Sequence, residues 1–545
     1  MRPHTAARAA RALLLLTIFS CPLPALRAGA DPIVLSYSGA DQAFAAGRFE
    51  EARQDYALAA TAHPKDVAPR LNLVRTLLRM DRWPEAVAEA QQAAQELPAS
   101  ADAHGLLSLA LIRAGWAAGC EDEAKKSLAL DARDYWGLVA EGRLADWGGR
   151  RAEAQRLCRQ ATALRPDLPD AWGNLLGMLD PARDAVEMAS VAAAYVKLAP
   201  HGQPHEKGVE DARNFLANAA AYERAFGGQH AFLRPPPLPT TPGAGGDPGT
   251  EDVTTFPVSI VGNYFVLPVT IDGVRYRLLF DTGGGGGITL NRRAAGKLKL
   301  TPLAHSFLRG VNGRESSETL RAESMTVGAW TYRAIRIETT SAVFAGCDGI
   351  LGGNVFRDSR VTLDAKASAV TLARRAAGGA PTARPGNRSI VIPLHFYHGD
   401  LFAAVFLNQV SVWALTDTGA SDTLLSLRLA ADQLKTVPAG DSRRGSVRER
   451  HGVGDSDRNT DFIASPDEST LALSQDPPVS VPLPTVGATD MDREVSPSMD
   501  FEVGLFLGMS SLLYAERLTF DYPRHQLTFE YVDPDAAPSG TGRKK

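Results

Sequence analysis

Asp-Thr-Gly occurs twice in this chain of 545 residues, at Asp281-Thr282-Gly283 and at Asp417-Thr418-Gly419. A single loop carboxylate does little chemistry alone. Two held close together cannot both ionise, so they share a proton, and one becomes a base while the other becomes an acid. Such a pair activates water without a metal or a cofactor. The ionised member takes the water's proton and the protonated member donates a hydrogen bond to the oxygen under attack. The flanking types suit that task. Gly283 and Gly419 permit close backbone approach, and the hydroxyls of Thr282 and Thr418 can bond across an interface and lock the loops.

The elements around the two copies also match. Without a gap, Val269–Phe280 lies over Val405–Thr416, and each stretch reads as a strand, a tight turn and a second strand ending on the aspartate. Each copy is followed by an apolar-apolar-Gly triplet, Ile350-Leu351-Gly352 and Phe506-Leu507-Gly508. Each closes with a strand hairpin, Val361–Leu372 and Leu518–Phe529, in which Asp364 and Asp521 read as turn-setting residues. Gly310 and Gly313 after the first aspartate, and Gly452 and Gly454 after the second, are candidate tips of hairpin flaps able to close over a bound strand.

This motif and context resemble the retropepsin-like aspartic proteases, in two tandem copies over about 253–535. The resemblance implies a closed β fold per lobe, an active site where the lobes meet, Asp281 and Asp417 as catalytic residues, and a protein or peptide substrate. That family usually continues Asp-Thr-Gly-Ala-Ser. The second copy does so, through Ser421, whose hydroxyl is expected to bond the outer carboxylate oxygen. The first continues Gly284-Gly285-Gly286-Gly287 and lacks that hydroxyl, and Thr416 stands where Phe280 is apolar. These departures leave open a second class of function, an inactive protein-binding scaffold built on degenerate lobes.

Residues 31–232 carry a 34-residue period. Phe49 and Trp83, Ala52 and Ala86, and Pro64 and Pro98 are each one period apart, and Ala154 and Pro166 continue it. The pattern resembles the tetratricopeptide repeat, with about four repeats over 36–180, a degenerate one near Gly115-Trp116-Ala117-Ala118-Gly119, and further helices over 183–199 and 205–226. Such a solenoid is expected to bind a protein substrate or partner. The expected fold class is therefore multidomain, an all-α solenoid followed by two all-β lobes.

Pro/Gly-rich linkers are expected at 233–252 and 374–387. They separate the solenoid, lobe one (253–373) and lobe two (388–535). Within lobe two, 439–500 is rich in Asp, Ser, Pro and Arg, and reads as a mobile insertion with one strand-like piece, Ser469–Ser474. A disordered tail is expected at 536–545. Pairing of the lobes within one chain is favoured, because the linker keeps the neighbour at high local concentration; pairing between chains is the alternative.

Arg2, Arg8 and Arg11 precede an apolar run, and Ala28-Gly29-Ala30 gives a small-x-small cleavage site. Residues 1–30 thus read as a signal peptide, implying an exported protein, periplasmic or extracellular. Lipid attachment at Cys21 is the less favoured alternative. No later run is apolar enough to span a membrane. The net charge of −4 comes with no basic block, which argues against nucleic acid. Cys120, Cys158 and Cys347 form neither a disulfide framework nor a zinc pattern.

Overall fold

The computed structural model describes residues 37–198, 206–231, 252–374, 383–433, 448–450, 458–464, 471–475, 478–481, 485–489 and 501–532, apart from 65, 117, 285–286, 311–312, 345 and 398. The proposed signal peptide, Cys21, the tail, Gly452, Gly454 and most of both linkers lie outside these residues.

Antiparallel helix pairs build the N-terminal half: α1 (Ser38–Ala45), α2 (Phe49–Ala62), α3 (Ala68–Arg79), α4 (Trp83–Glu96), α5 (Ala101–Arg113), α6 (Cys120–Leu130), α7 (Tyr135–Trp147), α8 (Arg151–Leu164), α9 (Pro169–Met178), α10 (Ala185–Leu198) and α11 (Glu206–Phe226). The periodic alanines Ala52, Ala86 and Ala154 are fully buried, because no larger side chain fits where neighbouring helices approach. Ser100 and Asp134 cap α5 and α7 by accepting hydrogen bonds from the N–H groups of Ala103 and Gly137. Cys120 and Cys158 are buried in the core and are not in a disulfide.

From Asp252 the chain is β-rich. In lobe one an eight-stranded sheet curls back on itself where Tyr264–Ile271 pairs with both Val274–Asp281 and Gly313–Val327. In lobe two the corresponding strands are Asp400–Leu407 and Val410–Thr416. The lobes join through six antiparallel strands in the order Asp252–Pro257, Ala369–Arg374, Ser359–Asp364, Arg517–Asp521, Gln526–Val532 and Asn387–Tyr397. The seam runs between the two closing hairpins. Thr362 faces Thr519 there, hydroxyl to hydroxyl at 3.0 Å. Asp364 and Asp521 set their turns by accepting from Ala367 and Arg524 N–H.

Two expectations change. The segment 439–500 contains the strands Arg448–Arg450, Arg458–Ala464, Leu471–Gln475, Pro478–Val481 and Thr485–Thr489, not one isolated piece in a mobile insertion. They pair partly with one another, as Arg448–Arg450 does with Arg458–Ala464 and Leu471–Gln475 with Pro478–Val481, and two of them reach distant strands: Leu424–Ser426 runs parallel to Thr485–Thr489, and Leu471 pairs with Leu407. The degenerate third repeat is the second change. Gly115 has φ +71°, and a Cβ there would collide with the carbonyl oxygen of Glu502 in lobe two. The Glu502 N–H donates to the Arg113 carbonyl at 2.7 Å. The loop that breaks the repeat is thus where lobe two docks.

That docking is a shared core. Trp147, at the end of α7, packs on Tyr397, Trp413 and Phe501 of lobe two, with centroid separations of 6.0, 5.3 and 5.1 Å. At the other end of the solenoid, Asn218 of α11 donates to the His305 carbonyl at 2.9 Å, and Tyr222 meets Thr319, both on the hairpin of lobe one formed by Ala304–Gly310 and Gly313–Val327. Trp147→Ala is expected to cost about 3–5 kcal/mol in urea unfolding of the whole chain, the range for a buried aromatic truncated in a core. A loss under about 1 kcal/mol would show that solenoid and lobe fold without each other.

Candidate active site

Each aspartate sits where a strand ends in a turn. In lobe one Val274–Asp281 runs parallel to Gly349–Gly352, pairing Asp281 with Gly352. In lobe two Val410–Thr416 runs parallel to Leu505–Leu507, and the Asp417 N–H donates to the Leu507 carbonyl at 3.1 Å. The glycines ending the triplets are required sterically. A Cβ at Gly508 would strike the Asp422 carbonyl, and one at Gly352 would crowd that of Gly287. The triplets are therefore the floor against which each aspartate loop is folded.

The loops meet within one chain and are cross-bonded by their threonines. Thr282 Oγ1 donates to the Thr416 carbonyl at 2.5 Å, and Thr418 Oγ1 donates to the Phe280 carbonyl at 2.8 Å. In return the N–H of Thr418 donates to Thr282 Oγ1 at 3.1 Å, and that of Thr282 donates to Thr418 Oγ1 at 3.0 Å. Both threonines are 1% exposed, so these bonds are made away from competing water. The glycines close the arrangement. A Cβ at Gly283 would fall 2.6 Å from Cγ of Asp417, and one at Gly419 would strike Cγ of Asp281.

The two carboxyls are hydrogen-bonded to each other. Burial first, and then the charge of Asp417, push Asp281 well above the ordinary aspartate range. Burial also raises Asp417, but hydrogen bonds from Asp281 and from the N–H groups of Gly419 (2.8 Å) and Ala420 (3.1 Å) act against it. Asp281 accepts one such bond, from Gly283 at 2.9 Å. The pair titrates as a unit, and the unequal donors favour the shared proton on Asp281 and the negative charge on Asp417.

Other residues differ from expectation. The Ser421 hydroxyl donates to Oδ2 of Asp422, the next residue in sequence, at 2.9 Å rather than to the outer oxygen of Asp417. Gly310 and Gly313 are paired at the end of a hairpin formed by Ala304–Gly310 and Gly313–Val327. The Thr416 hydroxyl is fully buried and has no hydrogen-bond partner among the described residues.

Three neighbours of the pair escaped the sequence reading. Tyr264 of lobe one is hydrogen-bonded to Ser421 of lobe two, and burial raises its hydroxyl pKa, with Asp417, Asp422 and Asp281 adding to the shift. Asp400, buried at the start of its strand, adds negative charge that further raises Asp281. Tyr264 and Asp400 are separated by the same 136 positions as the paired threonines. Extending the two-copy alignment upstream would have exposed them. Tyr522 reaches from the closing hairpin of lobe two to Gly353 of lobe one, where a Cβ would collide with its hydroxyl. Among the described residues no group of three or more His, Cys, Asp or Glu is placed to hold a metal, and no helix is long and apolar enough to cross a membrane.

Comparison with known proteins divides the chain in the same way. Residues 267–355 match the aspartyl protease family. The matched segment holds Asp281 and the Ile350-Leu351-Gly352 floor. Residues 43–110 match the tetratricopeptide repeat. The chain is also similar to a retropepsin-like aspartic protease from Rickettsia conorii (15% identity, 23% of this chain and 94% of that one, TM-score 0.19). It is similar to the aspartic proteinase from Irpex lacteus (12% identity, 53% and 100%, TM-score 0.32). A thermophilic tetratricopeptide protein of Thermus thermophilus resembles the solenoid (21% identity, 33% and 95%, TM-score 0.27). No curated protein matches in sequence. The layout is a helical segment with a tetratricopeptide match followed by two β lobes, of which the first carries the aspartyl protease match.

Two expectations follow for stability. Thr416→Val removes an unsatisfied buried hydroxyl at constant shape, and should leave the protein as stable or about 1 kcal/mol more stable in denaturant titration. Asp281→Asn should stabilise the protein at neutral pH. With its folded pKa raised above the ordinary 3.8, Asp281 contributes fully to stability only below that value. The contribution is lost as pH rises towards the folded pKa. The gain in thermal midpoint from Asp281→Asn should therefore be present at about pH 7 and vanish near pH 3. A gain independent of pH would contradict the raised pKa.

Proposed function

We propose that the protein is an aspartic endopeptidase whose dyad is Asp281 and Asp417, with the solenoid binding a protein substrate or partner. The observation that carries this reading is the hydrogen-bonded contact of two loop carboxyls inside a threonine-locked frame. Asp417, the charged member, takes a proton from water as the water oxygen attacks the peptide carbonyl. Asp281 gives its proton to the carbonyl oxygen. When the tetrahedral intermediate collapses, Asp417 gives its proton to the leaving nitrogen, Asp281 takes one back from a hydroxyl of the gem-diol as the carboxyl product forms, the carbon–nitrogen bond breaks, and the dyad returns to its starting state. The hairpin ending at Gly310 and Gly313 serves as the flap of lobe one. The N-terminal arginines, apolar run and small-x-small site support export, and the two lobes of one chain supply a whole site without dimerisation.

Purified protein from residue 31 onward, given an unstructured protein substrate from about pH 3 to 8, should hydrolyse it. Asp417→Asn and Asp281→Asn should each lose activity by at least about 1,000-fold, because the pair acts as a unit. Activity equal in parent and variants would assign the hydrolysis elsewhere. A parent with no activity would favour the binding scaffold.

A further inference from the structure

The seam between the solenoid and lobe two holds two half-buried histidines, His395 and His525. His395, on Asn387–Tyr397, stands edge-on to Trp413 with ring centroids 4.5 Å apart, and Trp413 in turn packs on Trp147 of α7 at 5.3 Å. His525, in the turn of the closing hairpin, packs on Phe396 at 4.7 Å. Its imidazole is hydrogen-bonded to the backbone of Gly148, and a Cβ at Gly149 would collide with the ring. The turn that follows α7 therefore rests directly on one imidazole, and the aromatic contact of Trp147 rests beside the other. The backbone ties the two together, since the His525 carbonyl accepts from Leu394 N–H at 2.8 Å.

An imidazole packed among rings at an interface is accommodated as the neutral form, because the charged form has lost its water. Burial lowers both pKa values, that of His395 to about 4, and the charge of His525 further lowers His395. The opposing groups do not outweigh burial: Glu121 of α6 acts on His395, and the Gly148 bond and Asp521 act on His525. On α7, Arg143 Nη2 donates to the Tyr397 hydroxyl at 3.1 Å, and Asp146 is raised to about 6 by burial against the charges of Arg151 and Arg143. Both histidines have folded pKa values below the ordinary 6.5. Their contribution to the docked state is therefore present above that value and is lost as pH falls below it. Asp146 has the opposite sign, so the histidines are separated from it only by replacing them.

We propose that this seam is an acid-release joint: protonation of His395 and His525 puts two positive charges into the aromatic contact, and the solenoid lets go of lobe two while both stay folded. The joint bears on the paired carboxyls as well. Trp413 lies on the strand Val410–Thr416, which leads into Asp417.

The test is small-angle X-ray scattering of the full chain at about pH 7.5 and about pH 4.5, at one ionic strength, with chain integrity checked on a gel and helix content by circular dichroism. The radius of gyration should rise by about 3 Å or more at the lower pH, reversibly and with the helix signal kept. In the double variant His395→Gln with His525→Gln the rise should fall to less than about a third of that of the parent. No rise in the parent would overturn the joint, as would a rise accompanied by loss of helix or one that the double variant shows in full. If the double variant does not fold, NMR titration of histidine-labelled parent decides. Half-protonation of both rings below about pH 6, coincident with the expansion, supports the joint, and any other course of titration rejects it.

Discussion

Two carboxyls in hydrogen-bond contact inside a protein repel each other unless one carries a proton, and something must hold them together against that repulsion. Here the holding is done by Thr282 and Thr418, each donating to a strand-end carbonyl in the opposite lobe and accepting the other's N–H. The frame fits only because Gly283 and Gly419 have no Cβ to strike the facing carboxyl. Remove the frame and the carboxyls separate, their pKa values fall towards the ordinary range, and the division into acid and base is lost.

Four hydrogen bonds do not by themselves fix two lobes to the tolerance such chemistry needs. The six-stranded sheet beneath them supplies the rest. Its seam lies between the two closing hairpins, Ser359–Asp364 against Arg517–Asp521, so strand register and dyad geometry are coupled. The solenoid adds a third support. Its core continues through Trp147 into Trp413 and Phe501, and α11 touches the strand that leads to Gly310. A partner on the solenoid thus acts on a body already joined to both lobes.

The sequence revealed what depends on short-range pattern. The repeated helices follow from a 34-residue period, and the paired aspartates stand out because each needs a glycine and a threonine beside it. It did not reveal what depends on distant pairing. The strands within 439–500 carry no strong alternation of their own, and two of them, Leu471–Gln475 and Thr485–Thr489, also pair with strands well before them. Gly115 and Gly119 looked like erosion of a repeat, whereas at Gly115 the missing side chain admits the backbone of lobe two. Ser421 had the expected residue type but another acceptor, the carboxylate next to it in sequence.

The two paired carboxyls are not alike: among the described residues Asp417 accepts two backbone N–H bonds and Asp281 accepts one, and the charge of Asp400 acts on Asp281. A cleft made by two identical chains presents the same environment in both senses, so a peptide can lie in it N-to-C or C-to-N with equal ease. Two unlike lobes on one chain remove that degeneracy. In the proposed endopeptidase the proton would be assigned before any peptide arrives, and a peptide lying in one sense would meet a different order of acid and base from one lying in the other. Joining the lobes in one chain would thereby give the proposed cleft a reading direction.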